Sequence, residues 1–369
     1  YDNILKIRWT MNRDLDFSNY TIYRSKSIDM EDPMIVFNQN IREDTLLSLP
    51  IDSIYYYQIG VQDYWGLESL SNIIKGDYLV QLWDKEFPLI GTKKINLSSN
   101  KIFGKIPKKL GVFINLEELI LANNFLNGKI PAELWNLKKL RVIDFSNNQI
   151  SGSIPSEIHK LNALLEIWLS NNRLNGELPY QIFSLKNLTH LNISNNKIEG
   201  NISEAIGNLI NLEYLNLYDN QITGFIPNEL GDLHQLEFLS LAGNYLQGTI
   251  PKELGNAKSL KSLALFDNAL SGIIPKEITA LPKLEYIGFF NNRLFGNVPS
   301  ELMKNLNLSY LRLDNNSFNR IDNSAMCESG YDWENFVYFN VSKNQYSNPL
   351  SICFETQELR RIYISTYKK

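Results

Sequence analysis

A 24-residue repeat runs through most of the chain and constrains its fold more than any other feature. Leu116 recurs as a leucine every 24 residues up to Leu308, and an asparagine keeps the same step from Asn100 to Asn316. As a rule, an apolar residue follows each asparagine by two positions, a glycine by four, and Ile-Pro by six and seven. A diverged copy, FVYFNVSKNQY (336–346), ends the series after a step of 28 residues and brings it to about eleven coils. A register held this long predicts a solenoid of stacked coils.

Each fixed position of the repeat has a physical role. The LxxLxL segment predicts a short strand whose leucines point inward and stack on the coils before and after it. The asparagine amide is expected to satisfy backbone groups that the following turn leaves unpaired. Glycine permits a positive φ, and proline favours an extended approach to a short outer helical turn, as in PAELWNL (131–137).

The pattern LxxLxLxxNxLxGxIPxxLxxL resembles the plant-specific class of leucine-rich repeat, found in plant receptor ectodomains and in polygalacturonase-inhibitor-like proteins. It covers roughly residues 92–346, with Ser203 in place of proline in the fifth coil. The resemblance implies a curved solenoid with a parallel sheet on its concave side. Plant ectodomains carry paired cysteines in the N-terminal cap, whereas WDKEFPLIGTKKINL (83–97) has none. Bacterial surface and adhesion proteins use the same repeat subclass, and we expect an origin of that kind.

The first 78 residues lack the repeat and are predicted to form short strands. LKIRWT, YTIYR and the segment after Leu49 alternate apolar and polar residues with period two. Trp9, together with Leu49 six residues before Tyr55, resembles the core tryptophan and the tyrosine corner of a fibronectin type III domain. Only eight residues precede Trp9. The first strand of such a sandwich is therefore expected to be short, trimmed, or supplied by a neighbouring subunit through strand addition.

The predicted fold is thus a two-domain chain, an all-β Ig-like sandwich followed by a leucine-rich-repeat solenoid with a parallel sheet and short outer helical turns. The predicted segments are a fibronectin type III-like domain at 1–78, a linker and N-terminal cap at 79–91, 24-residue repeats at 92–325, and a diverged last repeat with a C-terminal cap at 326–369.

Charge and composition argue against several functions. Residues 1–78 hold 12 acidic and 7 basic side chains, a net −5, and the remainder holds 28 and 29, a net +1. A near-neutral array with no block of Lys or Arg is a poor match to nucleic acid. No apolar run approaches the ~18 residues of a membrane span. The chain starts at Tyr1 without a charged and apolar leader, so we expect a processed or trimmed piece in which an export signal would not be visible.

The sequence offers little for catalysis. His159, His190 and His234 fall in different coils, and HExxH, CxxC, GxSxG and phosphate-binding glycine loops are all missing. We predict no enzyme activity and no cofactor or metal. Cys327 and Cys353 flank the last coil, where a capping disulfide and two buried thiols are both open interpretations.

Aromatic residues accumulate on the strand positions that face outward between the inward leucines, on the surface predicted to be concave. Early coils carry small or polar residues there, such as Asn96, Ser98 and Asp144. The predicted ligand-binding residues are Trp168, Tyr214, Tyr218, Asp219, Phe238, Phe266, Asp267, Tyr286, Phe290, Tyr310, Arg312 and Tyr338. On strands ~4.8 Å apart, these rings would form a continuous, water-facing ladder. Stacking that merely stabilises the sheet is the alternative, but it does not explain a band confined to one half of the array. A localised aromatic patch favours recognition.

We therefore predict a non-enzymatic, secreted or cell-surface module that binds a protein, peptide or glycan on the concave face, with the fibronectin-like domain as a spacer. Two alternatives stay open. One is a structural subunit of a surface filament or layer that self-associates by strand addition. The other is a receptor or inhibitor ectodomain like those of plants. Nucleic acid partners are not expected.

Overall fold

A computed structural model of the chain describes residues 4–9, 17–26, 29–39, 45–50, 55–71, 74–76, 79–321, 338–347 and 362–363. The backbone divides into two compact units, the first formed by residues 1–93 with 112–115 and the second by the remainder. Cys327 and Cys353 lie outside the described residues, so the choice between a disulfide and two thiols is not tested; the side chains of Trp9, Leu49 and Tyr55 also lie outside.

The first unit is built from antiparallel strands. Their bounds are β1 (Ile4–Trp9), β2 (Phe17–Ser25), β3 (Met34–Gln39), β4 (Thr45–Pro50), β5 (Tyr55–Asp63), β6 (Glu68–Leu70), β7 (Ile74–Gly76), β8 (Leu79–Leu82) and β9 (Lys85–Pro88). β1 pairs with β4, a second sheet has the order β3-β2-β5-β6 with β7 also on β5, and β8 pairs with β9. Tyr20 and Ile22 of β2 and Tyr57 of β5 are buried, as predicted, but Thr21 between the first two is only 4% exposed, so β2 does not alternate strictly between buried and exposed residues.

The second unit is the solenoid, and its principal element is a parallel sheet of twelve strands among the described residues, termed the long sheet below. Its strands are Lys94–Asn96, Glu118–Ile120, Val142–Asp144, Glu166–Trp168, His190–Asn192, Tyr214–Asn216, Phe238–Ser240, Ser262–Ala264, Tyr286–Gly288, Tyr310–Arg312, Tyr338–Asn340 and Ile362–Tyr363. From Lys94 to Asn340 each strand pairs in register with the equivalent residues of the next coil. The leucines between the outward positions, such as Leu119, Leu215 and Leu263, are fully buried.

The rest of each coil is a lateral strand and a short helical turn. The lateral strands are Phe103–Lys105, Phe125–Gly128, Gln149–Gly152, Arg173–Glu177, Lys197–Asn201 and Gln221–Thr223 in one parallel sheet, then Gln247–Gly248, Ala269–Gly272, Arg293–Val298 and Ser317–Ile321 in another. The turns are 3-10 helices at Lys108–Val112, Ala132–Asn136, Ser156–Lys160, Tyr180–Ser184, Glu204–Asn208, Asn228–Asp232, Lys252–Asn256 and Ser300–Lys304, and a short α-helix, α1, at Lys276–Thr279.

The repeated asparagines form an internal hydrogen-bond ladder, as the sequence predicts. Asn124 shows the pattern: its Nδ2 donates to the carbonyl oxygens of Leu97, Leu121 and Ala122 at 2.8, 2.9 and 3.1 Å. Its Oδ1 accepts the backbone N–H of Ile102 in the preceding coil at 2.9 Å. Equivalent bonds recur through Asn344. Each asparagine therefore ties its own turn to the coil before it, where the backbone groups would otherwise be buried unpaired.

The glycine four residues after the asparagine has φ between +76° and +89° from Gly104 to Gly296, which confirms its predicted role. Among the coils whose helical turn is described, the coil with Ser203 in place of proline has a substitute cap. Ser203 Oγ accepts the N–H of Ala205 at 3.2 Å, so the turn starts at the same position.

Candidate functional site

Three columns of side chains cross the outer face of the long sheet, because the in-register pairing places the same repeat position side by side in every coil. The first column is Lys94, Glu118, Val142, Glu166, His190, Tyr214, Phe238, Ser262, Tyr286, Tyr310 and Tyr338. The middle column is Asn96, Ile120, Asp144, Trp168, Asn192, Asn216, Ser240, Ala264, Gly288, Arg312 and Asn340. The third column, two residues further on, is Ser98, Ala122, Ser146, Ser170, Ser194, Tyr218, Ala242, Phe266, Phe290, Asp314 and Ser342.

The rings of the first column stack face to face along the solenoid. Tyr214 and Phe238 have centroids 4.4 Å apart and ring planes 9° apart. Tyr286 stacks on Tyr310 at 4.3 Å, and Tyr310 stacks on Tyr338 at 5.2 Å. Ser262 interrupts the series between Phe238 and Tyr286. The column is therefore two separate stacks with one gap, where the sequence predicted a continuous ladder.

The third column holds a second, shorter stack. Phe266 and Phe290 lie 4.4 Å apart with an interplanar angle of 8°. Tyr218 reaches towards Phe266 across Ala242, with a centroid distance of 5.9 Å and a tilt of 50°. Here the rings close over the small residue between them.

Rings of the first column lean across the middle column. The Asn216 Nδ2 donates to the Tyr214 hydroxyl at 3.1 Å. A Cβ placed on Gly288 would lie 2.9 Å from the Tyr286 hydroxyl oxygen and 3.2 Å from Phe266, so a larger side chain there would displace both rings. Burial raises the pKa of Tyr286, since the ionised phenolate would lose its hydration in this position.

Arg312 lies in the middle column, near the C-terminal end of the aromatic columns. Its guanidinium carbon lies 3.5 Å from the Phe290 ring centroid and 5.6 Å from that of Tyr338. Its Nε and Nη2 donate to the two carboxylate oxygens of Asp314, each at 3.0 Å. Burial opposes the charge of Arg312, but the hydrogen bonds and charge of Asp314 outweigh it and raise the pKa. Phe290 is only 8% exposed, so the expectation that it faces water is wrong: Phe266 of the preceding coil and Arg312 of the following coil cover its ring.

Trp168 and His190 extend the band at its other end. The Trp168 ring lies 5.6 Å from the rings of His190 and of Tyr214, in tilted arrangements, and its Nε1 donates to Glu166 Oε2 at 2.8 Å. His190 in turn stacks on Tyr214 at 5.9 Å. The ladder thus begins one coil after Trp168 with a histidine that the predicted ligand-binding set did not include.

All twelve predicted ligand-binding residues lie on this face or at its border, but they fall into distinct groups. Most rings are half-buried against one another, whereas Asp219 and Asp267 are exposed on either side of Gly243. The predicted set missed three residues that shape the site: His190 within a stack, Asp314 beneath Arg312, and Ser262 at the gap. Aligning the coils in columns would have drawn attention to all three, because each lies beside an aromatic residue of its own column. The neighbours are Tyr214 for His190, Phe290 for Asp314, and Phe238 and Tyr286 for Ser262.

Away from the long sheet, the exposed rings of Phe103 and Phe125 form a stacked pair on the lateral strands, with centroids 4.7 Å apart. The described residues contain no group of three or more His, Cys, Asp or Glu placed to hold a metal. No helix in the described part of the chain has the length and apolar character needed to cross a membrane. A groove of about 890 Å³ lies beside the helical turns, near Pro251 and Pro275, but Lys252, Glu253, Lys276 and Glu277 balance its charge and it has no aromatic lining.

Fold and site together define a solenoid of leucine-rich repeats with an aromatic strand face. Three family profiles match the chain, "Leucine rich repeat" at residues 186–246, "Leucine Rich repeats (2 copies)" at 114–158 and "Leucine Rich Repeat" at 163–185. The chain therefore contains leucine-rich repeats. A comparison with curated proteins finds no match.

Solved structures of plant receptors are similar to the solenoid. The plant peptide hormone receptor RGFR1, in complex with RGF2, has a TM-score of 0.66 and 35% identity over 69% of this chain and 40% of its own. The Arabidopsis receptor kinase HAESA, in complex with the peptide hormone IDA and the co-receptor SERK1, has a TM-score of 0.60 and 39% identity over 62% of this chain and 38% of its own. A leucine-rich-repeat protein of the bacterium Leptospira interrogans has a TM-score of 0.56 and 32% identity over 70% of this chain and 63% of its own. The chain thus spans about two fifths of the two receptor chains.

Proposed function

We propose that the chain is a non-enzymatic, extracellular binding module that recognises a protein or peptide on the outer face of the long sheet, from Trp168 to Tyr338. The observation that carries this proposal is the uneven distribution of rings. The stacks begin at the fifth strand of the sheet, although every coil has the same need of stability. Similarity to plant receptor ectodomains that were solved with peptide hormones supports the same class of ligand.

The orientation of the rings favours a polypeptide over a glycan. Within each stack, neighbouring rings cover one another's faces at 4.3–4.4 Å, so the rings present mainly their edges to solvent. A sugar needs an uncovered aromatic face, which few of these rings offer, whereas a peptide can also use ring edges, hydroxyl groups and backbone contacts. Among the ligand classes predicted from the sequence, a glycan is therefore less favoured than a protein or peptide.

The first unit is proposed to be a fibronectin-like spacer at residues 1–78. Its strand order supports this, because β1-β4 and β3-β2-β5-β6 correspond to the B-E and C′-C-F-G pairings of Ig-like sandwiches. The remaining proposed segments are the linker and cap at 79–91, the repeats at 92–325 and the terminal cap at 326–369. The extracellular location is inferred from the receptor ectodomains that the chain resembles.

The proposal is tested by screening the purified chain on peptide and glycan arrays beside a variant in which Tyr214, Tyr218, Phe238 and Phe266 are replaced by Ser. We expect peptide hits that the variant loses while it keeps its circular dichroism spectrum. The matched control replaces two tyrosines and two phenylalanines that are exposed elsewhere: Tyr180, Tyr245, Phe103 and Phe125. Hits that the first variant retains would place recognition on another surface. Concentration-dependent assembly in sedimentation velocity, without any hits, would favour the structural-subunit alternative.

A further inference from the structure

The gap in the first column lies between two rings, Phe238 and Tyr286. Their stacked partners are on the sides away from the gap, Tyr214 at 4.4 Å and Tyr310 at 4.3 Å respectively. Among the described residues, neither ring has a stacked partner on its face towards Ser262, and the hydroxyl end of Tyr286 leans over Gly288 beside Phe266. These two faces differ from those inside the stacks, where both sides of a ring are in contact with neighbours.

The floor of this gap is made of small side chains. Ser262 is half-buried and Ala264 is 5% exposed. Phe266, in the third column of the same coil, stacks on Phe290 and bounds the far end. We call this space the Ser262 slot, with Phe238 and Tyr286 as its walls, Ser262 and Ala264 as its floor and Phe266 as its end.

The width of the slot matches one aromatic ring. Neighbouring strands of a sheet lie about 4.8 Å apart, so Phe238 and Tyr286, two strands apart, stand about 9.6 Å from each other. A ring inserted midway would lie about 4.8 Å from both walls, within the range of about 4.5–7 Å that aromatic pairs adopt. It would also continue the spacing that the chain's own stacks use.

The charge around the slot indicates which kind of peptide would supply the inserted ring. Two further sets of residues border the columns between residues 213 and 291. One set lies immediately before the first column and the other immediately after the third, and all of these residues are described. Their charged residues are Glu213, Asp219, Glu237, Asp267, Glu285 and Lys261, five carboxylates and one ammonium, a net −4. Lys261 is itself held by Glu237, whose Oε2 lies 2.7 Å from its Nζ. The border therefore attracts positively charged partners.

We propose that the Ser262 slot binds an aromatic side chain of an extended peptide in which basic residues flank that side chain. The proposal rests on the proposed function, since it names the ligand class of the same surface. The inserted ring completes the first column from Tyr214 to Tyr338, and the flanking basic residues lie over the carboxylates of the border.

Short peptides of defined composition test the slot directly. The probe is acetyl-Lys-Phe-Lys-amide, compared with the same peptide carrying Leu at the centre and with one carrying Glu at both flanks. Titration followed by saturation-transfer NMR is expected to show the Phe peptide binding at least about fivefold more tightly than the Leu peptide, because two ring faces are gained. The Glu-flanked peptide is expected to bind at least about tenfold more weakly, and added NaCl should weaken binding of the Lys-flanked peptide.

Three variants separate binding in the slot from nonspecific binding to the sheet face. Ser262→Phe fills the slot and is expected to abolish the preference for Phe over Leu. Val142→Phe adds the same ring to the same column between Glu118 and Glu166, where the sequence places no aromatic walls, and should keep the preference. Phe238→Leu, which removes one wall, should reduce the preference to an intermediate value. Circular dichroism on each variant confirms that it is folded.

The proposal is overturned if the unmodified chain binds the Phe and Leu peptides equally, or if Ser262→Phe retains the preference. Array hits that are lost in the four-residue Ser variant but bind Ser262→Phe undiminished would reject the slot and leave recognition on the strand face intact. Array hits that survive the four-residue variant would reject the proposed function itself.

Discussion

The guanidinium of Arg312 lies over the ring of Phe290, 3.5 Å from its centroid, while the same group forms two hydrogen bonds with Asp314. The charge of Arg312 can lie among the aromatic columns because Asp314 compensates it and accepts hydrogen bonds from two of its nitrogens. Held in this position by Asp314, Arg312 covers the ring of Phe290 and keeps it buried.

Arg312→Leu is expected to lower the free energy of unfolding by about 2–3 kcal/mol, because it leaves the buried Asp314 carboxylate without its partner. The value is kept below that of a fully buried pair, since the Arg312 side chain is 24% exposed. Urea unfolding measures the effect. Replacing both residues by Leu should cost less than the sum of the two single changes, and additive costs would show that the pair is not coupled. Arg312→Lys, which keeps the charge but loses the planar fork, should fall between wild type and Leu.

Asn220→Ala is expected to destabilise the solenoid by about 2–4 kcal/mol. The Asn220 Nδ2 donates to the Ile193 and Leu217 carbonyl oxygens at 3.1 Å, and its Oδ1 accepts the Ile198 N–H at 2.9 Å. Removal of the amide leaves these buried backbone groups unsatisfied. The control is Asn175→Ala, a change of the same chemistry at an exposed lateral position. Equal shifts of the urea midpoint in the two variants would contradict the assigned role of the ladder.

Tyr286→Phe is expected to make stability less dependent on alkaline pH. An unfolded tyrosine ionises near pH 10, whereas burial raises the pKa of folded Tyr286 above that value. Above pH 10 the unfolded chain therefore loses a proton that the folded chain keeps, and the free energy of unfolding falls as pH rises. The decline should be shallower in Tyr286→Phe, by up to about 1.4 kcal/mol per pH unit. Urea titrations at several pH values between neutral and alkaline measure it, and parallel curves would reject the prediction.

Ser262→Phe is expected to stabilise the folded chain by about 0.5–1.5 kcal/mol even without a ligand, because the new ring gains contacts with Phe238 and Tyr286. Val142→Phe lacks such neighbours and should change stability by less. Thermal unfolding of both variants makes the comparison. A loss of stability in Ser262→Phe would mean that the space between the two rings is narrower than one side chain.

The repeat allowed most of the solenoid to be predicted from the sequence. The leucines, asparagines and glycines have roles that depend only on the backbone of one coil and its neighbour, and residues such as Asn124 and Gly128 perform them as expected. Periodicity also placed Tyr214 and Phe238 on the outer face. It could not give the exposure of Phe290, since that depends on how Arg312 in the next coil turns its side chain. The gap at Ser262 could have been found from the same periodicity, but the prediction took the rings as one set and did not compare neighbours within a column.

The asparagine ladder also has a consequence for how such a surface can diversify. Each amide bonds to its own turn and to the coil before it, so the 24-residue unit is a module with identical joints at its two ends. Insertion or loss of a whole module leaves every joint intact, while it changes which rings become neighbours on the outer face. Recombination between coils can therefore relocate a vacancy such as that at Ser262 without rebuilding the interior, and new binding preferences can arise at little cost to folding.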